Sequence, residues 1–338
     1  GAGLMAGASL VSLGQAGEWV NYHETGRSWL LDRWALRSGD AGRGRDDLAQ
    51  ATAKVQAWLA TARSEGIPVR PVGGAWSPSN IQTVQDGWML NTRRFNRCFT
   101  IAGEDLMPGS AVDPADLLLV EAGTQIDEIN DKIECKPLRR SLRSTGASDG
   151  QTLAGACATG THGSVIEAGG IQDHVAAMQI VTPDEVYWIE PSAGLMSDDF
   201  IKATDSTKIL RDDEAFAAAL VAVGSLGIVT ALVIRTVPVY LLRPVLKLID
   251  FRRDDLDRLA AGDFLGFSRR HGVKRPDGQD YGEPYFVMVI VNPHAPLRRK
   301  ATVRFYYKVD WDEGHKPVSE PGKLGQGYDS FTMLGWAL

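Results

Sequence analysis

Two stretches rich in glycine, serine and threonine carry the residues with which this chain could do chemistry. One is Gly73-Gly74-Ala75-Trp76-Ser77, inside PVGGAWSPSN at residues 71–80; the other is STGASDGQTLAGACATGTHGS at residues 144–164. Each offers backbone N–H groups and hydroxyls with little side-chain bulk. That is the donor set that the closely spaced oxygens of a diphosphate require. Neither stretch fits GxxxxGK followed by Ser or Thr, which argues against a nucleotide triphosphatase. Residue types alone therefore point to a phosphate-bearing ligand, with turns that merely need glycine as the plainer alternative. Trp76 is the exception in its loop, the bulkiest side chain among the slimmest.

Elements that could position these loops are legible around them. Residues 46–65 space Leu48, Ala51, Val55, Trp58, Leu59 and Ala62 as one face of a helix, which Gly66 ends. IPVRPV then reads as a strand leading into the first glycine stretch, followed by strands at 86–92, 97–103 and 117–123. Residues 124–134 form a helix with Ile126, Ile129 and Ile133 on one face. Past the second stretch, residues 176–190 read as a hairpin across Pro183-Asp184, residues 213–224 as a helix and residues 228–237 as a long strand. Beyond Pro238 the pattern becomes strand, helix, a polar loop over 268–283, and two strands at 284–292 and 300–310. That order suggests a second domain on an antiparallel sheet.

The bulk properties narrow the classes. At 338 residues, 44% hydrophobic and 23% charged, the chain has the make-up of a soluble globular protein of two domains. A net charge of −6, with Lys and Arg scattered, argues against nucleic acid or an anionic membrane surface as the main partner. The three cysteines, Cys98, Cys135 and Cys157, are too few and too far apart for a disulfide framework and read as core thiols. The six histidines show no metal-ligand spacing, so no metal site is expected. Residues 1–16 are uncharged and apolar, like the core and cleavage end of an export signal, or else a docking segment. Export to a bacterial periplasm and residence in the cytoplasm both stay open. The apolar ending GYDSFTMLGWAL suggests a piece of a longer protein.

The order strand–GGAWSPSN–strand–NRCFTIAG, then GQTLAGACATGTHGS, then GSLGIVTALVIRTVP closely resembles the FAD-binding domain of the vanillyl-alcohol-oxidase-type (PCMH-type) oxidoreductases. The nearest likeness is to the aldonolactone oxidases, such as L-gulonolactone oxidase. The resemblance covers roughly residues 46–240. It implies an α+β fold in which a small parallel sheet and a larger antiparallel sheet form a two-subdomain FAD-binding domain. The start of an α+β substrate (cap) domain over residues 241–338 follows, with residues 1–45 as an N-terminal segment. Carried over by position, the resemblance places FAD against Pro71, Val72, Gly73, Gly74, Ala75, Trp76 and Ser77. It adds Gly146, Ala147, Thr152, Gly155, Thr159, Gly160, Thr161 and His162, with Ile228 at the adenine end. His162 can also be read as a turn residue satisfied by backbone.

Two departures matter. Many relatives carry a histidine at the position of Trp76 and bond it covalently to the flavin; an indole nitrogen is a donor only and cannot do so. The expectation is non-covalent FAD. The family's substrate-contacting motifs do not occur in this chain, and Glu283, Tyr285, His294 and Arg304 read as surface or hairpin residues, so no catalytic residue is named. In the resembling lactone enzymes, glycine sixteen residues before the GTHG-like histidine accompanies oxygen use. Gly146 holds that position here, with a turn at positive φ as the alternative account. The implied activity is FAD-dependent oxidation of a CH–OH group of a small alcohol, sugar, polyol or aldonolactone, with oxygen as acceptor. A flavin-binding protein without its own turnover is the other reading.

Overall fold

The computed structural model describes residues 11–14, 17–20, 27–37, 46–291, 300–312 and 314. They fall into two compact units. One is built from residues up to Thr161 together with Gly170–Val237, the other from His162–Gly169 and the residues from Pro238 onward.

The first unit contains two main sheets. Strands β1 (Val11–Gly14), β2 (Gly17–Val20), β3 (Arg27–Arg37), β4 (Val69–Val72) and β5 (Gly87–Arg94) make the smaller one. β5 runs parallel to both β3 and β4, whereas β1 and β2 lie antiparallel along β3. The sheet expected to be parallel is therefore mixed. Three of its strands lie in the segment before residue 46, where the sequence pattern announced none. The reading of residues 1–16 as an export signal falls largely outside the described residues.

The larger sheet takes β6 (Cys98–Thr100), β7 (Leu117–Glu121), β9 (Val175–Val181), β10 (Val186–Glu190), β11 (Lys208–Arg211) and β12 (Ile228–Arg235), in the order β11-β10-β9-β12-β7-β6. All its pairings are antiparallel except β10 with β11. Two-residue strands β8 (Arg140–Ser141) and β13 (Val237–Pro238) pair with each other.

The central strands of the larger sheet are mostly apolar because both faces are covered. Alternation along a strand sends successive side chains to opposite faces. Leu117, Leu119, Ala231 and Val233 face a core shared with helix α1 (Asp46–Ser64), while Leu118, Val120, Leu232 and Ile234 face a second core. In that second core lie Ile126, Ile129 and Ile133 of α2 (Ile126–Glu134), Leu153 and Ala156 of α3 (Leu153–Ala158), and Ala219 of α5 (Asp213–Leu220). The short helix α4 (Asp198–Ala203) adds Phe200 to the first core, edge-on to Trp188.

Helix α1 serves both sheets. Trp58 stacks on Trp88 of β5, with centroids 5.3 Å apart, and Thr52 Oγ1 donates to Gln179 Oε1 of β9 at 3.0 Å. Gln179 is fully buried and fully satisfied, since it also accepts from Thr230 and donates to Thr204 and Ser206. A buried amide of this kind is tolerated only when every group has a partner.

The second unit is a three-stranded antiparallel sheet of β14 (Tyr240–Asp250), β15 (Phe286–Val291) and β16 (Lys300–Asp310), with β16 central. Ala301, Val303, Phe305 and Tyr307 alternate along β16 and pack against Phe267 of α7 (Phe264–Arg270), below which runs α6 (Arg253–Ala260). The stretch from Ser268 read as loop thus begins with the end of a helix.

Candidate functional site

β4 delivers the chain into the loop from Gly73 to Pro78, and that loop meets the start of α3 directly. A β-carbon on Gly73 would lie 2.1 Å from Thr152 Oγ1, and one on Gly74 would lie 2.7 Å from the Gly150 carbonyl oxygen. Two glycine stretches distant in sequence therefore pack closely, Gly73 against the Thr152 side chain and Gly74 against the Gly150 backbone, because neither glycine carries a side chain. Ala75 continues the loop in the left-handed region at φ 55°.

Beside this junction opens a cleft of about 390 Å³, within the size range of small-molecule and cofactor sites. Its wall includes Pro71, Val72, Gly73, Gly74, Ala75, Trp76 and Ser77 from the first stretch, and Thr152, Gly155, Thr159 and Thr161 from the second. The remaining expected residues do not line it. Gly146 has no positive φ, which removes the turn explanation; a β-carbon there would meet Thr161 Cγ2 at 2.8 Å. Ala147 is exposed, and Gly160 makes a left-handed turn at φ 64°. His162 is exposed, its Nδ1 bonded to the Gly163 carbonyl at 3.1 Å, and it groups with the second unit. Ile228 is buried at the start of β12 opposite Val181, where sheet pairing holds it; its neighbours Leu226, Gly227 and Val229 reach the wall instead.

Several wall residues had no signal in the sequence. Arg70 is the one charged side chain on the described wall. It donates to Ile81 O at 2.8 Å and to Val223 O at 3.2 Å, tying two loops together across the cleft. The turn it holds departs from the expected helix 213–224, which stops at Leu220 because Val223 (φ 53°) and Gly224 (φ 71°) are left-handed. A β-branched residue in that region is a genuine outlier, strained by about 1–3 kcal/mol. Gln82 and Gln151 also line the cleft, and the side-chain oxygen of each is buried without a hydrogen-bond partner. An acceptor left this way costs about 1–3 kcal/mol.

Two of the three cysteines are held as neutral thiols. Burial pushes the Cys157 thiol on the cleft wall up to about 12, and Cys98 likewise to about 12, so neither is a nucleophile at neutral pH. Cys135 is exposed, contrary to its reading as a core thiol. The loop carrying Gly146 is held by His174, buried, whose Nε2 sits 2.8 Å from the Ser144 carbonyl. Burial lowers its pKa against the opposing pull of that carbonyl and of Asp173. Among the described residues no group of three His, Cys, Asp or Glu side chains could hold a metal ion, and no helix is long and apolar enough to cross a membrane.

A two-sheet α+β scaffold with a glycine-walled cleft of this volume and one cation on its described wall suits an extended dinucleotide cofactor rather than a bare phosphate. Residues 48–188 match the family model of the FAD binding domain. The chain is similar to D-arabinono-1,4-lactone oxidase of Candida albicans, 29% identical over 203 residues that make up 59% of this chain and 33% of that protein. It is also similar to L-gulonolactone oxidase of Bos taurus, 26% identical over 185 residues, 55% of this chain and 35% of that protein. The matched segment thus spans about a third of these relatives. Among solved structures, chitooligosaccharide oxidase superposes with a TM-score of 0.57 at 13% identity, covering 89% of this chain and 54% of that one. A cholesterol oxidase from Brevibacterium sterolicum gives 0.54 at 12%, covering 93% and 51%. At such identities the structures speak for the fold alone. The resemblance read from the three motifs is borne out by these matches.

The residues present fit FAD. Slim residues line the cleft at Gly73, Gly74 and Gly155, where backbone can approach a diphosphate, with the hydroxyls of Ser77, Thr159 and Thr161 and the Arg70 cation on the same wall.

Proposed function

We propose that this protein is an FAD-dependent oxidoreductase that oxidises a CH–OH group of a sugar, polyol or aldonolactone-like substrate, with oxygen as electron acceptor. The observation that carries the reading is the closure of the two glycine stretches on one cleft, within the segment similar to the lactone oxidases. FAD, when bound, supplies the acceptor for the hydride that leaves the carbinol carbon. The chain's own part is to hold the cofactor. Gly73 and Gly74 keep the wall thin, and Arg70 fixes the loops on either side. Trp76, half-buried on the wall, adds apolar area that keeps water away. Retention is non-covalent, because the indole nitrogen cannot replace an imidazole in bonding to the ring.

The test is anaerobic titration of the purified holoprotein with aldonolactones, polyols and sugars, followed at the visible flavin bands. A matching substrate bleaches the flavin, and readmitted air restores the colour with release of hydrogen peroxide. Bound flavin that none of these compounds bleaches would overturn the oxidase reading in favour of a flavin-binding protein without its own turnover.

A further inference from the structure

We propose that the open face of the β14-β16-β15 sheet binds an amphipathic monocarboxylate, with Arg304 holding the carboxylate and the leucines of β14 covering an alkyl chain. The site belongs to the second unit alone and stands apart from the cofactor cleft.

The pleat gives this sheet two unlike faces. Val303, Phe305 and Tyr307 of β16 and Val287 and Val289 of β15 point into the core with Phe267. Alternation sends Thr302, Arg304 and Tyr306 to the opposite face, with Met288 and Ile290 beside them. Register sets these side chains in rows: Leu246, Arg304 and Met288 form the middle one, with Leu248, Thr302 and Ile290 on one side of it and Pro244, Tyr306 and Phe286 on the other. Leu246 is 60% exposed and Leu248 70%, so the face is apolar yet uncovered, which is the mark of a surface that binds something.

Arg304 is the one charged residue in these rows. It is half-buried, and among the described residues none gives it a hydrogen bond, an ion pair or a ring contact. The cations at the two ends of the face are engaged. Lys300 Nζ pairs with Asp250 at 2.6 Å, and Lys308 Nζ lies 4.1 and 4.4 Å from the ring centroids of Tyr240 and Tyr285. A guanidinium between Leu246 and Met288 has lost part of its water with no anion in exchange, a cost that a bound anion removes. Its planar fork fits both oxygens of a carboxylate. A single cation matches a single negative charge, which favours a carboxylate over the more highly charged phosphate monoester. Thr302 is small beside Leu248 and Ile290, so a shallow trough runs from Arg304 toward Lys300, four residues and about 14 Å along the strand. That shape suits an unbranched chain. A second copy packed face to face would bring two such guanidinium groups onto one apolar contact, and Pro244 removes a donor from the edge strand β14, which disfavours strand addition there.

The experiment is calorimetric titration of the purified full chain with decanoate, decanol and acetate, each kept below the concentration at which it self-associates. The parent should bind decanoate about tenfold more tightly than decanol, the size expected of a charge-assisted hydrogen bond, and acetate should give no signal. Arg304→Gln should weaken decanoate about tenfold and leave decanol unchanged. Leu248→Ser should weaken decanoate and decanol alike, about three- to tenfold, because it removes apolar cover and no charge. Equal affinity of the parent for decanoate and decanol would overturn the assignment without any variant, and so would decanoate binding that Arg304→Gln leaves intact. Two other occupants would also overturn it: sedimentation with anionic vesicles by a protein that takes up no monomeric decanoate, which would make the face a lipid-surface contact, or a dimer that Leu246→Asp dissociates, which would give the face to a second copy.

Discussion

Replacing Gly74 with alanine tests whether the two glycine stretches are truly in contact. The added β-carbon would stand 2.7 Å from the Gly150 carbonyl oxygen, about 0.7 Å short of the 3.4 Å at which ordinary contact begins. The obstacle is backbone, and it is braced from behind. Gln125 Nε2 donates to that same carbonyl, and Arg93 in turn holds Gln125 and Glu128. The strain therefore cannot be shed by turning a side chain. Overpacking of this kind costs about 1–3 kcal/mol. For a unit of this size that lowers the melting temperature by roughly 2–12 °C, at about 2–4 °C per kcal/mol. The measurement is differential scanning calorimetry on the deflavinated protein, so that lost cofactor binding cannot account for the change. Gly103→Ala is the control, since nothing lies within 4 Å of its added carbon and its φ is not positive. FAD affinity of Gly74→Ala should fall as well, because the junction forms part of the cleft wall. If deflavinated Gly74→Ala melts within a degree of the parent, the contact argued here is refuted, and glycine at 74 would have to be explained by the ligand alone.

Three further outcomes follow from the same structure. Acid precipitation of the holoprotein should leave all flavin in the supernatant, because Trp76 cannot tether it; yellow polypeptide would show another attachment. In stopped-flow reoxidation by dissolved oxygen, Gly146→Ala should be slower than the parent while artificial acceptors react as before; its methyl meets Thr161 Cγ2 at 2.8 Å, so equal rates would reject any gating role. The third concerns His174, whose folded pKa lies below its ordinary value because of burial. Below about 6.5 the unfolded chain takes up the proton more readily than the folded one. Stability should hold above that pH and decline as pH falls toward the depressed folded value. His174→Gln should flatten the decline in chemical denaturation measured between pH 5 and 7, and an unchanged slope would exclude His174 as its source.

Most of the scaffold was legible because its signals are local. The period of Leu48, Val55 and Trp58 gives α1, and the apolar runs at 117–121, 175–181 and 228–235 give strands whose two faces are both covered. What was missed had no local signature. β2 and β3 exist through pairing, β2 along β3 and β3 along β5. Nothing in AFAAALVAVG foretold that the helix would stop at Leu220; Arg70, from the other side of the chain's course, holds the carbonyl of left-handed Val223.

The candidate site divides along the same line. Sequence alone determined that two glycine-rich stretches exist, that they suit a diphosphate, and that a tryptophan stands at position 76, where the resembling family often carries a histidine. Those properties belong to single residues and short motifs, and no folding is needed to state them. Only the tertiary structure decided that Gly73 and Gly74 abut Thr152 and Gly150, that His162, Gly146 and Ile228 lie off the cleft wall, and that Arg70, Gln82 and Gln151 lie on it. The reason is physical: whether a side chain is a partner, a wall or an unpaired acceptor depends on what stands across from it, and that neighbour comes from a distant part of the chain.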